Sequence, residues 1–88
     1  MSHFDMFLEL EYGKLYTIDL HGQILEEAKA NLFHVLSIID NSYAGILVIH
    51  GYHKGRVLRD FIRGKLGHNL IKKKVVIDAS RTLILLDF

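Results

Sequence analysis

Apolar positions along this chain change rhythm several times, and each change marks an element. Leu15–Leu20 reads as a first core strand, in which Asp19 and His21 point to one side and Leu20 to the other. Leu25, Ala28, Leu32, Val35, Leu36 and Ile39 then recur at helical spacing, which predicts a helix from about Gln23 to Ile39. Glu26 and Glu27 fall in its first turn, where the positive end of the helix dipole favours carboxylates. Asp40, Asn41 and Ser42 stop it. Ile46–Ile49 is apolar on both faces, the pattern of a buried central strand. Val57, Leu58, Phe61, Ile62 and Leu66 predict a second helix from about Lys54 to Leu66, with Gly67 as its stop. Ile71–Ile77 and Thr82–Leu86 close the chain as strands of an antiparallel hairpin, turning at Asp78–Arg81.

Residues 1–13 carry both rhythms. Leu8 to Tyr12 alternates like a strand, Phe4, Phe7 and Leu8 share a helical turn, and Gly13 ends the segment either way. The expected architecture is therefore α/β: a two-layer sandwich, βαβαββ, with a mixed four-stranded sheet and two helices. Residues 1–13 are an N-terminal extension and 14–88 the domain proper. Eighty-eight residues make one core rather than two. There is no cysteine, hence no disulfide framework or thiolate metal site, which suits a reducing cytoplasm. No apolar run approaches the ~18 residues of a membrane span, and the N-terminus has acids where a signal peptide has bases.

A net charge of +1 hides a division. Residues 1–40 hold seven acids against two lysines, and residues 41–88 hold nine bases against three acids. Such segregation points to a nucleic-acid or other acidic partner, or to two solvated faces.

Two His-Gly pairs, His21-Gly22 and His50-Gly51, each end a strand and open a helix. A crossover helix between the strands makes them parallel, so their carboxyl ends lie side by side, roughly 5 Å apart. That edge is where open α/β sheets bind ligands. A glycine-bearing loop from His50 through Gly51, Tyr52, His53 and Lys54 to Gly55 offers backbone N–H groups to an anion, or is a plain tight turn. Arg56, Arg59 and Arg63 follow at steps of three and four, a stripe able to track phosphates. Tyr52 can stack on a base or pack the loop.

Ile18-Asp19-Leu20-His21-Gly22 resembles the "LDLHG" motif of the Smr (small MutS-related) domain family. The segment from His50-Gly51 to Gly55, followed by Leu58-Arg59, is similar to the family's "HGxGxG" loop and the Leu-Arg pair after it. The chain departs from the pattern at His53, where the loop usually has glycine, and at Asp78–Arg81, where many members are glycine-rich. The resemblance implies the fold of the C-terminal domain of bacterial translation initiation factor three. It also implies DNA or RNA binding and endonuclease activity.

In that chemistry Asp19, His21 and His50 are the catalytic candidates. His21 takes a proton from water or a ribose hydroxyl, and Asp19 orients it or holds Mg²⁺ or Mn²⁺. Gly22, Gly51, Tyr52, His53, Lys54, Gly55, Arg56, Arg59 and Arg63 are the phosphate-binding candidates. No metal or cofactor is fixed by spacing, and His21, His50 and His53 carry no zinc signature. Two alternatives stand beside the nuclease: a nucleic-acid- or ribosome-associated module without catalysis, and an oligomerisation domain that dimerises through Phe4–Tyr12.

Overall fold

The computed structural model describes residues 3–52 and 56–88, with side chains from Met6 onward. His53, Lys54 and Gly55 lie outside the described residues. The elements are α1 (His3–Tyr12), β1 (Leu15–Asp19), α2 (Leu25–Ile38), β2 (Gly45–Ile49), α3 (Arg56–Asp60), β3 (Ile71–Asp78) and β4 (Arg81–Leu86). α3 runs on into a wider π-helical turn over Phe61–Lys65.

The four strands form one sheet in the order β1-β2-β4-β3, with β1 and β2 parallel and the other two pairings antiparallel. The expected mixed α/β sandwich is present. β2, apolar throughout, lies inside the sheet with Gly45 through Val48 buried. Gly45 is there for space, since a Cβ would stand 2.5 Å from the Ile84 carbonyl oxygen.

α2 and α3 cover one face of the sheet. Leu20, Ala28, Leu32, Ile46, Val48, Ile62 and Ile84 have no accessible surface there. Each leucine, isoleucine or valine so buried contributes about 1.5–3 kcal/mol before ordering costs. α1 lies on the other face, where Leu8 packs with Leu47 and Leu83. The two-fold rhythm of residues 1–13 thus resolves as helix. Gly13 ends it in the left-handed region (φ 111°), its N–H donating to Glu9 O at 2.8 Å. The Glu9 carboxylate accepts from Leu15 N–H at 3.0 Å, tying α1 to β1.

Gly67 does not act as a left-handed helix stop. The second helix closes instead with Leu66 N–H donating to Phe61 O at 2.8 Å, a five-residue step, while Lys74 Nζ donates to Leu66 O at 2.6 Å. The β3–β4 hairpin turns at Ala79-Ser80 with no left-handed residue, and a register shift between Val76 and Asp78 accommodates it.

Candidate functional site

Pleating carries the first motif into place. Leu20 is buried in the α2/α3 core, while Asp19 and His21 face solvent with side chains 51% and 69% exposed. Leu20 N–H still donates to Ile49 O at 2.8 Å, extending the β1–β2 ladder one step. The chain then reverses over Leu20–Gln23, Gln23 N–H donating to Leu20 O at 3.1 Å, with Gly22 at φ 79° in the position a type II turn reserves for glycine.

Asp19 Oδ1 receives two hydrogen bonds from His21, from the backbone N–H at 3.1 Å and from ring Nδ1 at 2.6 Å. A carboxylate only accepts, so Nδ1 carries the hydrogen, and in the neutral ring Nε2 is left with a lone pair. Partial burial pushes the Asp19 pKa up. The His21 hydrogen bonds outweigh it and hold the carboxyl below its ordinary value. Asp19 is therefore an anion at neutral pH, poised to steady a positive imidazole.

Gly51 lies against this dyad. Its φ is 91°, and a Cβ there would stand 3.1 Å from His21 Cβ. The two His-Gly turns are neighbours, as parallel strands require. Gly51 N–H is not open to an anion, however, because it donates to Ser80 O at 3.1 Å, beside His50 N–H at 2.9 Å. At Gly51 the expected cradle is occupied by the β3–β4 turn.

His50 is separated from the dyad's solvent face. It has no accessible surface. Its Nδ1 is 3.1 Å from Gly51 O, a pure acceptor, so Nδ1 carries the hydrogen. Nε2 then accepts from the Thr82 hydroxyl at 3.0 Å, and Thr82 Oγ1 accepts from Arg63 Nε at 2.8 Å. Every donor in this buried chain meets an acceptor when the imidazole is neutral. Burial is the largest influence and lowers the His50 pKa; the hydrogen bond to Gly51 O opposes it, and the Arg63 and Arg59 cations add smaller downward pushes, so the net shift is down. His50 anchors the loop; it does not reach a substrate from this position.

Acid stability follows from that neutral state. The His50 pKa lies below 6.5 in the fold, so between about pH 6.5 and the folded value the unfolded chain binds more protons. The associated stability is present above pH 6.5 and is lost as pH falls. Melting temperatures from pH 8 to 5 should decline more steeply for the native chain than for His50→Gln, and equal slopes would rule out a neutral buried imidazole.

Arg63 leaves the stripe. Besides Thr82 it donates through Nη2 to the carbonyls of Asp78 at 2.6 Å and Arg81 at 3.2 Å. It lies in the π-helical turn, whereas Arg56 and Arg59 lie in α3. Arg56 is exposed and Arg59 half-buried, with Arg59 bonded to Asp60 at 3.2 Å and Arg56 4.0 Å from the same carboxylate. Tyr52 is 68% exposed beyond Gly51. Among the described residues no group of three or more His, Asp or Glu could hold a metal ion. No helix there is long and apolar enough to cross a membrane.

Thr82 and Ser80 are the site residues that motif reasoning missed. One is a lone hydroxyl in an apolar strand, and the other acts through its carbonyl, so neither leaves a spacing signal. No protein-family model, no characterised protein and no solved structure matches this chain.

Proposed function

We propose that this chain is a nucleic-acid-binding domain of the Smr type that cleaves phosphodiester bonds with Asp19 and His21. The observation that carries the reading is the 2.6 Å contact between Asp19 Oδ1 and His21 Nδ1 at an exposed strand end. His21 Nε2 takes the proton of a ribose 2′-hydroxyl or a water, and the oxygen so freed attacks phosphorus. The opposite P–O bond breaks, and its oxygen takes a proton from solvent. Asp19 stabilises the imidazolium throughout.

Arg56 and Arg59 supply the cationic approach. Arg56 pairs with Asp60 in the open and Arg59 pairs with it half-buried at the surface, so a phosphate can compete for both. Replacing both by Gln should flatten the slope of log K against log[salt] by about 1.4–1.8. Arg63→Gln should lower the melting temperature instead, because its guanidinium is committed to the β3–β4 turn. Titration by fluorescence anisotropy at several salt concentrations checks both, and a slope unchanged without Arg56 and Arg59 moves the binding face elsewhere.

The activity is tested by incubating the chain with plasmid and with single-stranded RNA, in Mg²⁺, Mn²⁺ or chelator. Products that vanish in Asp19→Ala support hydrolysis. A second reading, binding without cleavage, is favoured by the enclosure of His50 and the commitment of Gly51 N–H to Ser80. Retention on nucleic acid with no products selects it. Self-association through the exposed Met6, Phe7 and Leu10 of α1 is a third, read directly by sedimentation.

A further inference from the structure

A trough runs between α2 and α3 and begins one residue from the dyad. It consists of two adjoining cavities, about 320 and 370 Å³, whose linings share Leu25 and Val57. Gly22 lines its near end, immediately after His21. Its walls are Ile24 and Val57, 62% and 60% exposed, an apolar pair left in water by the fold.

The far end is different in kind. Lys29 and Lys65 line it, and the Lys29 ammonium sits 4.9 Å from the centre of the Phe61 ring. Asp60 lies there too, but its carboxylate already faces Arg59 and Arg56. From Leu25 to Lys29 is one helical turn, about 6 Å along the axis. An apolar slot with cations one step beyond it matches a nucleotide, with a flat base between the walls and its phosphate at the lysines.

We propose that this groove is a nucleotide subsite that takes an unpaired base of a single-stranded polynucleotide adjoining the cleaved phosphate. The inference rests on the nuclease or binding reading above and adds what that reading leaves open, strand form. A duplex keeps its bases stacked and paired and offers mainly phosphates and groove edges, so it cannot fill an apolar slot between two helices. A single strand can splay a base into it. A purely apolar guest would have no use for Lys29 and Lys65.

The probes are a twelve-nucleotide RNA, the DNA of the same sequence, both duplexes, and the RNA with abasic residues, each measured by anisotropy. Because Ile24 and Val57 are exposed, Ile24→Ser/Val57→Ser should fold normally, as circular dichroism would verify. The native chain is expected to bind single strands at least fivefold more tightly than duplexes. The serine variant and the abasic strand should each forfeit most of that preference, with duplex affinity unchanged. The RNA and DNA arms show whether the 2′-hydroxyl contributes. Equal affinity for single strand and duplex, or a serine variant indistinguishable from native, overturns the subsite while leaving an Asp19-dependent cleavage intact. Failure to bind any probe overturns the nucleic-acid reading and the subsite with it.

Discussion

His21→Ala is expected to lower the rate of strand cleavage by about 10²–10⁴-fold while leaving affinity within about tenfold. The ring is the base, whereas Arg56 and Arg59 supply binding charge that the substitution leaves in place. Asp19→Asn should also slow cleavage. An amide removes the negative charge opposite the imidazolium and can offer Nδ1 a donor instead of an acceptor, which turns the imidazole to the wrong tautomer. Single-turnover assays on end-labelled strands, with protein in excess, separate these effects from weakened binding. Cleavage by His21→Ala at the native rate would place the activity outside this dyad and leave the binding module as the reading to keep.

The fold was legible wherever one rhythm dominated. β2 reads as a central strand because both of its faces are apolar, and it lies between β1 and β4 with four consecutive buried residues. α2 is within two residues of its expected bounds, since Ala28, Leu32, Val35 and Leu36 form one inward stripe. The first twelve residues were not decidable from pattern. Leu8 faces the sheet while Met6, Phe7 and Leu10 face solvent, so apolar residues occur on both sides of the helix and blur its period. The π-helical turn was invisible as well, because hydrophobic spacing over Phe61 to Leu66 fits either helix type at that length.

The site was legible in its motifs and not in their division of labour. Asp19, His21 and Gly51 come together because parallel strands end at one edge, and topology follows from the intervening helix. His50 and His21 look equivalent in sequence, each a histidine before glycine at a strand end. What separates them is a contact across 32 residues, from His50 to Thr82, together with the depth of β2 in the sheet. Arg63 shares helical spacing with Arg56 and Arg59, but it lies in the π-helical turn and its guanidinium is bonded to the hairpin. Local pattern names candidates; tertiary contacts assign them to solvent or interior.

Thr82→Val tests the interior assignment with the largest expected loss of stability. Valine matches threonine in shape but offers no hydroxyl, so His50 Nε2 loses its donor and Arg63 Nε its acceptor. Each enclosed polar group left without a partner costs about 1–3 kcal/mol, giving about 2–6 kcal/mol together. A chain this size holds only about 4–13 kcal/mol, so the melting temperature should fall by on the order of 10 °C or more. Thr82→Ser keeps the hydroxyl and should recover most of the loss, which distinguishes the hydrogen-bond relay from simple packing. The consequence should also travel to the surface. His50 bonds Gly51 O, and Gly51 abuts His21, so a loosened anchor lets the dyad's neighbour move. Cleavage by Thr82→Val, measured well below its melting temperature, should therefore fall by more than its affinity does. Equal stability of the Val and Ser variants would mean that the relay contributes nothing and that His50 is held by packing alone.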